Sequence, residues 1–249
     1  MSVELIQRAA SSAAWLSAVL RGTAGVEQAL DVLSLGGEAP LFVDEDSPEP
    51  LTLPFAIASW RRLGLSGWLY LPVAPGDAAA LPGPGSFSTA ALDRGVALVA
   101  VGGPLLGLIP HASGDALSWV EHETLGAGRV PLESPAEAER SLLESINEAV
   151  ATLESHELAS WRDDASGLRD RWKGLEPMPP GTDPRSERLA LRSRRIFELL
   201  EHAGSDDGGS RTAADAALRR SAFADLARAA RRAHAVAWNT GLRGVVERG

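Results

Sequence analysis

The stretch LPGPGSFSTAALDRG, residues 81–95, sets three Gly/Pro turn signals against a helix start, the arrangement that can hold a phosphate. Such a cradle needs free backbone N–H groups at a helix N-terminus, usually from glycines, and a cationic side chain to balance charge. Gly83, Gly85, Ser86 and Ser88 stand at that position, before a helix beginning near Phe87, and Arg94 follows one to two turns on. Pro82 and Pro84 remove two donors, no lysine follows, and the spacing fits neither phosphate-loop nor dinucleotide-loop patterns, so a rigid turn ending in an N-cap serine is the competing reading. With His111 added, this is the best small-molecule site in the chain, and it suits a phosphorylated or acidic metabolite.

His111 and His122 flank a pair of short apolar runs, with Asp115, Glu121 and Glu123 nearby. Imidazole and carboxylate would suit zinc or another divalent ion, but the HExxH pattern is missing and solvated strand-end charges are the simpler reading. The chain has no cysteine, which excludes disulfides, thiolate metal sites and cysteine nucleophiles. No metal or other cofactor is therefore expected. No G-x-S-x-G elbow occurs, since GLSG at 64–67 is one residue short, and the carboxylates of DED at 44–46 and of Asp163-Asp164 read as solvated loop charges. Trp161 and Trp172 read as packing anchors rather than stacking platforms.

Charge supplies the other candidate. The chain carries a net charge of −9, which disfavours general nucleic-acid binding. Residues 211–249 nevertheless hold eight arginines against Asp215, Asp225 and Glu247, a local +5 that leaves −14 for residues 1–210. An arginine face on the last helix, through Arg219, Arg220, Arg228, Arg231 and Arg232, either pairs with acidic groups of the same molecule or contacts an acidic protein partner or a second copy. With no strong catalytic motif present, a non-catalytic interaction or regulatory protein is the leading expectation, and a metabolite-binding protein or enzyme is the alternative.

The elements that must position these residues fall into two halves. Residues 3–21 place Val3, Ile6, Ala10, Ala13, Leu16 and Leu20 at helical spacing, VEQALDVLSLGG continues with a shorter helix, and PFAIASWRRLG reads as a third begun by Pro54. DEDSPEP, residues 44–50, reads as a loop. WLYLPV, VALVAVG, LLGLIPH and LSWVEHE are short apolar runs bounded by turns, hence strands. The last two are close enough to pair antiparallel, while the interval between the first two has room for a helical crossover.

After residue 131 the pattern is helical. Ser134-Pro135-Ala136-Glu137 forms a capping box ahead of a face of Leu143, Ile146, Val150 and Leu153. Asp183-Pro184 opens a helix carrying Leu189, Ile196, Leu199 and Leu200, and Thr212 with Asp215 caps a last helix with Leu218, Ala222 and Leu226 in a stripe. Its many alanines favour a close antiparallel bundle. The expected architecture is α+β, with a small mixed sheet and helices over 1–131 and an all-helical region over 132–249, packed as one domain or two.

No apolar run reaches the ~18 residues of a membrane span. The segment after Arg8 has signal-peptide length, but Glu4 spoils the basic start, so a cytoplasmic protein with no membrane association is expected. Of 24 basic residues only Lys173 is lysine, the composition of a high-GC genome. The run LYLPVAPGDAAALPGPGSFSTAALDRGVALV, with LLGLIPH behind it and the final helical pair, resembles a type of actinobacterial protein from about residue 60 to the C-terminus. That resemblance implies no activity, cofactor or site residue.

Overall fold

A computed structural model of the chain describes residues 3–34, 37–44, 49–83, 85–113, 116–126, 133–155, 177–203 and 212–242. Two compact units emerge. The first comprises Met1–Leu132, Glu176–Asp183 and Trp238–Gly249; the second comprises Glu133–Leu175 and Pro184–Ala237. A mixed sheet in one unit and helices in the other make the protein α+β.

The first unit is built on strands β1 (Leu41–Asp44), β2 (Leu51–Thr52), β3 (Gly67–Pro72), β4 (Val96–Val101), β5 (Leu106–Ser113) and β6 (Ala116–Glu123), in the order β2-β1-β6-β5-β4-β3. Only β1 and β6 pair parallel. Helices α1 (Val3–Leu20), α2 (Val26–Leu33), α3 (Leu53–Arg62) and α4 (Ser86–Arg94) complete the unit. The helical crossover anticipated between β3 and β4 does hold α4, yet the two strands are antiparallel. The excursion is a long hairpin closed at its neck, where the Val73 N–H donates to the Gly95 carbonyl at 3.0 Å. Its helix ends there because Gly95 adopts the left-handed conformation of a C-cap, φ 77°. Strands β1 and β2 were not foreseen, since Leu-Phe-Val-Asp is too short to show a period and β2 is two residues that directly follow the acidic, proline-rich interval.

Strand alternation divides the side chains between two buried faces. On one, Trp68, Tyr70, Leu98, Leu108 and Trp119 are fully buried, and Trp60 of α3 meets Phe42 and Trp68 edge-on at ring distances of 4.9 and 4.8 Å. On the other, Leu69, Leu71, Ala97, Val99 and Ile109 form a core with Phe87 and Ala91 of α4. The Phe87 ring lies over Gly107 so closely that any Cβ there would collide with it. Strand β3 lies at the sheet edge, where two side chains take the place of a neighbouring strand. Ser17 accepts from the Trp68 N–H at 2.8 Å and donates to its carbonyl at 3.2 Å, and the Asn239 amide does the same for Tyr70 at 2.9 and 2.8 Å. An edge left open would expose unpaired backbone groups to aggregation.

The second unit holds α5 (Pro135–Ser155), α6 (Pro184–Ala203) and α7 (Ala213–Trp238, of which residues to Ala237 belong here). Both foreseen capping boxes form. Ser134 and Glu137 exchange N–H contacts at 2.8 and 3.2 Å, and Thr212 and Asp215 do so at 3.0 and 3.1 Å. Wholly antiparallel packing does not follow. Glu139 near the start of α5 pairs with Arg185 and Arg192 in the first half of α6 at 3.1 and 2.7 Å, and Leu153 and Ala203 near their other ends line one cavity, so these helices run the same way. The 156–183 interval is long enough for the return that parallel neighbours require. The buried line on α5 is Ala138, Leu142, Ala149 and Leu153, whereas Leu143 and Val150 of the foreseen stripe are exposed. On α7 the burial is concentrated from Ala230 onward.

Candidate functional site

The 81–88 turn is built to hold itself. Gly83 takes φ +78°, its N–H donates to the Leu81 carbonyl at 2.9 Å, and its own carbonyl accepts from the Ser88 hydroxyl. Thr89 closes onto the Gly85 carbonyl with its N–H at 3.0 Å and its hydroxyl at 3.2 Å. Gly83, Gly85 and Ser86 are exposed, and the foreseen serine cap is not made: the N-cap of α4 is Gly85, with no side-chain cap bond. The hydroxyl that a phosphate would use at Ser88 is turned back onto the loop.

Arg94 does not join this turn. It ends α4, and eight residues of helical rise put it about 12 Å from Ser86. Arg94 instead meets His111 of β5, with its Nη2 3.4 Å from His111 Nδ1. Both side chains are exposed, and among the described residues neither has a carboxylate partner. The structure therefore separates the candidate residues into a self-satisfied turn and an arginine–imidazole pair at opposite ends of one helix. Because Phe87 and Ala91 fix α4 on the sheet, the position of the arginine is set by the core.

Partial burial lowers the His111 pKa first, with the Arg94 and His122 charges adding to it. The imidazole is thus neutral at pH 7. Its Nδ1 accepts from the guanidinium in that form, which leaves Nε2–H as a second donor beside an arginine fork. Two donors of this kind side by side suit an oxygen anion. His122 shares the sheet face but sits opposite Gly107, four residues along β5 from His111, a rise of about 13 Å, and packs near the Phe87 ring at 6.3 Å. Glu121 and Glu123 alternate onto the other face, and Asp115 lies outside the described residues. The anticipated histidine–carboxylate ligand set does not assemble; among the described residues no group of three metal-ligating side chains forms.

The α7 arginines do not share one free face. Arg219 and Arg231 are buried; Arg219 donates to the Ala203 carbonyl at 3.2 Å and lies over the Phe223 ring. Arg228 pairs with Asp225 at 2.9 Å and Arg232 with Glu133, while Arg220 is exposed. Ser66 of GLSG donates its hydroxyl to the Val101 carbonyl at 2.8 Å. His156, Asp163, Asp164, Trp161 and Trp172 lie outside the described residues, as do Glu45 and Asp46.

One group read in the sequence as a solvated strand-end charge, Glu121, is half-buried instead. Glu121 turns its carboxylate into the Trp119 face, accepts from Trp60 Nε1 at 3.3 Å and neighbours Asp44 across the parallel β1–β6 pair. Burial is the main cause that raises its pKa; Asp44 adds to this and the Trp60 bond opposes it. The signal was available: a glutamate in phase with Leu117 and Trp119 points inward.

Two family models match the chain: Rv1486c-like protein, N-terminal domain, over residues 9–138, and Rv1486c-like protein, C-terminal domain, over residues 136–235. The match starts well before residue 60. No curated protein and no solved structure matches.

Proposed function

The chain belongs to the Rv1486c-like family, and we propose that it is a binding protein for a small acidic ligand, a phosphorylated or carboxylate-bearing molecule taken by Arg94 and His111. One observation carries this reading: an exposed guanidinium 3.4 Å from an imidazole, with no carboxylate partner for either among the described residues. The neutral imidazole accepts from the guanidinium and keeps its Nε2–H for a ligand, so the one positive charge of the pair has no carboxylate to balance it and an anion supplies that balance. The ligand would receive the arginine fork and the imidazole N–H, and no covalent step is required. The self-bonded 81–88 turn supports the site indirectly, by fixing the start of the helix whose other end carries Arg94.

Partner binding through the α7 arginines has weaker support. Two of the five are buried and two already face carboxylates. The discriminating experiment is thermal unfolding of the full chain against inorganic phosphate, sugar phosphates and di- and tricarboxylates. A ligand at a hundred times its Kd stabilises the native state by about 2.7 kcal/mol, a shift of several degrees. Arg94→Ala should abolish that shift while Arg220→Ala leaves it. A flat response over the whole panel would refute the reading.

A further inference from the structure

Leu143 and Val150 of α5 are 43% and 46% exposed, two aliphatic side chains outside the line by which that helix packs. Two turns apart, they share one stripe, with the exposed Asn147 between them. Val150 also lines an apolar cavity of about 140 Å³ among α5, α6 and α7, together with Ile146, Leu199, Phe223 and Leu226. Because Val150 belongs both to that wall and to the surface, the cavity opens beside the stripe. A single chain thus presents an apolar knob at Leu143 and an apolar hole two turns on, and contiguous apolar surface of this kind marks an interaction site.

The charges that bracket the stripe select what covers it. Arg140 lies about one turn before Leu143 and Glu154 about one turn after Val150; both are exposed, and neither has an ion-pair partner among the described residues. The series cation, leucine, valine, anion is its own complement when reversed. Turned end for end about a point between Ile146 and Asn147, a second α5 sets its Val150 against Leu143, because both stand the same distance from that point. The same turn brings its Glu154 to within about one residue of the level of Arg140. A second helix laid in the same direction would instead set Arg140 against Arg140 and Glu154 against Glu154, and like charges repel. Glu144 and Glu148 point about 100° or more round the helix from Leu143 and Val150, clear of the seam.

We propose that the partner of this surface is a second copy of the chain, the two α5 helices crossing antiparallel. Leu143 of each copy sits at the cavity mouth beside Val150 of the other, and Arg140 and Glu154 pair across both ends. Such an interface is isologous, so it closes at two copies and does not propagate. It shares no residue with the Arg94–His111 pair, and neither proposal depends on the other.

The test uses the full-length protein. Sedimentation equilibrium from about 1 to 200 µM should show the mass rising toward twice the 26.2 kDa of one chain, as a small interface with a micromolar Kd requires. Leu143→Glu should weaken association at least about tenfold without changing the circular dichroism spectrum. Arg140→Glu should weaken it about five- to tenfold, since symmetry counts the contact twice, and adding Glu154→Arg should restore it. Direction is read by cross-linking. The chain has no cysteine, so Leu143→Cys and Val150→Cys each carry a single thiol. An equimolar mixture of the two, oxidised, should give a disulfide-linked dimer. Either variant alone should not, because the same position in the two copies lies about 10 Å apart along the helix axis, beyond the Cα separation of about 7 Å that a disulfide spans. A single-chain mass over the whole concentration range would overturn the proposal. So would a dimer whose Kd is unchanged by Leu143→Glu, or a Leu143→Cys protein that cross-links with itself.

Discussion

Among single residues, buried titratable groups give the sharpest consequences. His234 is fully buried against the Phe197 ring at 5.4 Å, and burial, with a contribution from the Arg194 charge, lowers its pKa to about 3. The unfolded chain therefore takes up a proton near the ordinary histidine pKa of about 6.5 that the folded one refuses until about 3, and stability is lost progressively as pH falls between those values. Urea midpoints at successive pH values should decline over that window, and His234→Gln should flatten the decline; an unchanged slope would contradict the assignment. Glu121 acts in the opposite sense. Its raised pKa means that ionised Glu121 costs the folded state stability, and the cost appears as pH rises through that pKa. Glu121→Gln, which can still accept from Trp60, should raise the melting temperature at pH 8 and leave it nearly unchanged at pH 4. Both residues sit at inward phases of their elements, so burial was legible; the hydrogen bonds and neighbouring charges that complete each environment come from elements distant in sequence.

At the level of elements, α4 and β3 show how position is transmitted. The Phe87 ring on Gly107 sets the height of α4 above the sheet, and Arg94 stands at the end of that helix. Gly107→Ala should cost about 1–3 kcal/mol by overpacking and weaken anion binding at Arg94, measured by chemical denaturation and titration of the same variant. Retained stability and affinity would show that the ring moves aside freely. Strands and caps with local signals were readable: the four long apolar runs are β3 to β6, and Ser134-Glu137 and Thr212-Asp215 form the boxes that their spacing announced. The antiparallel sense of β3 and β4 and the parallel sense of α5 and α6 were not, because direction is set by where a long connection returns, and local periodicity carries no record of it. Nor could a four-residue strand such as Leu-Phe-Val-Asp declare itself without the β6 edge on which it lies.

For the whole molecule, chain order and spatial order differ. The first unit draws Pro177, Asn239 and Leu242 from late in the sequence: the Pro177 carbonyl accepts from Trp15 Nε1 at 2.8 Å, Asn239 covers the β3 edge and Leu242 enters the core around Ile109. A chain ending at residue 132 loses all three and should melt well below the full-length protein or fail to fold, by circular dichroism. Asn239→Ala in the intact chain should cost about 2–4 kcal/mol, because it leaves the N–H and carbonyl of Tyr70 buried without partners. A residue-131 boundary read from the change in periodicity cannot register these returning segments, which are short and lack a period of their own. Net charge was equally mute about placement: the +5 of the last 39 residues is real, but burial and ion pairs occupy most of the named arginines of α7.

The most direct measurement is a calorimetric titration, at pH 5.5 and pH 8, of the acidic compound that gives the largest thermal shift, into the unaltered protein and into Arg94→Gln. An anion restores the charged form of His111, so binding should be tighter at pH 5.5, with proton uptake seen as a buffer-dependent heat, and Arg94→Gln should lose at least tenfold at both pH values. Equal affinity in the Arg94→Gln protein, with no dependence on pH, would place the ligand elsewhere and contradict the assignment of Arg94 and His111.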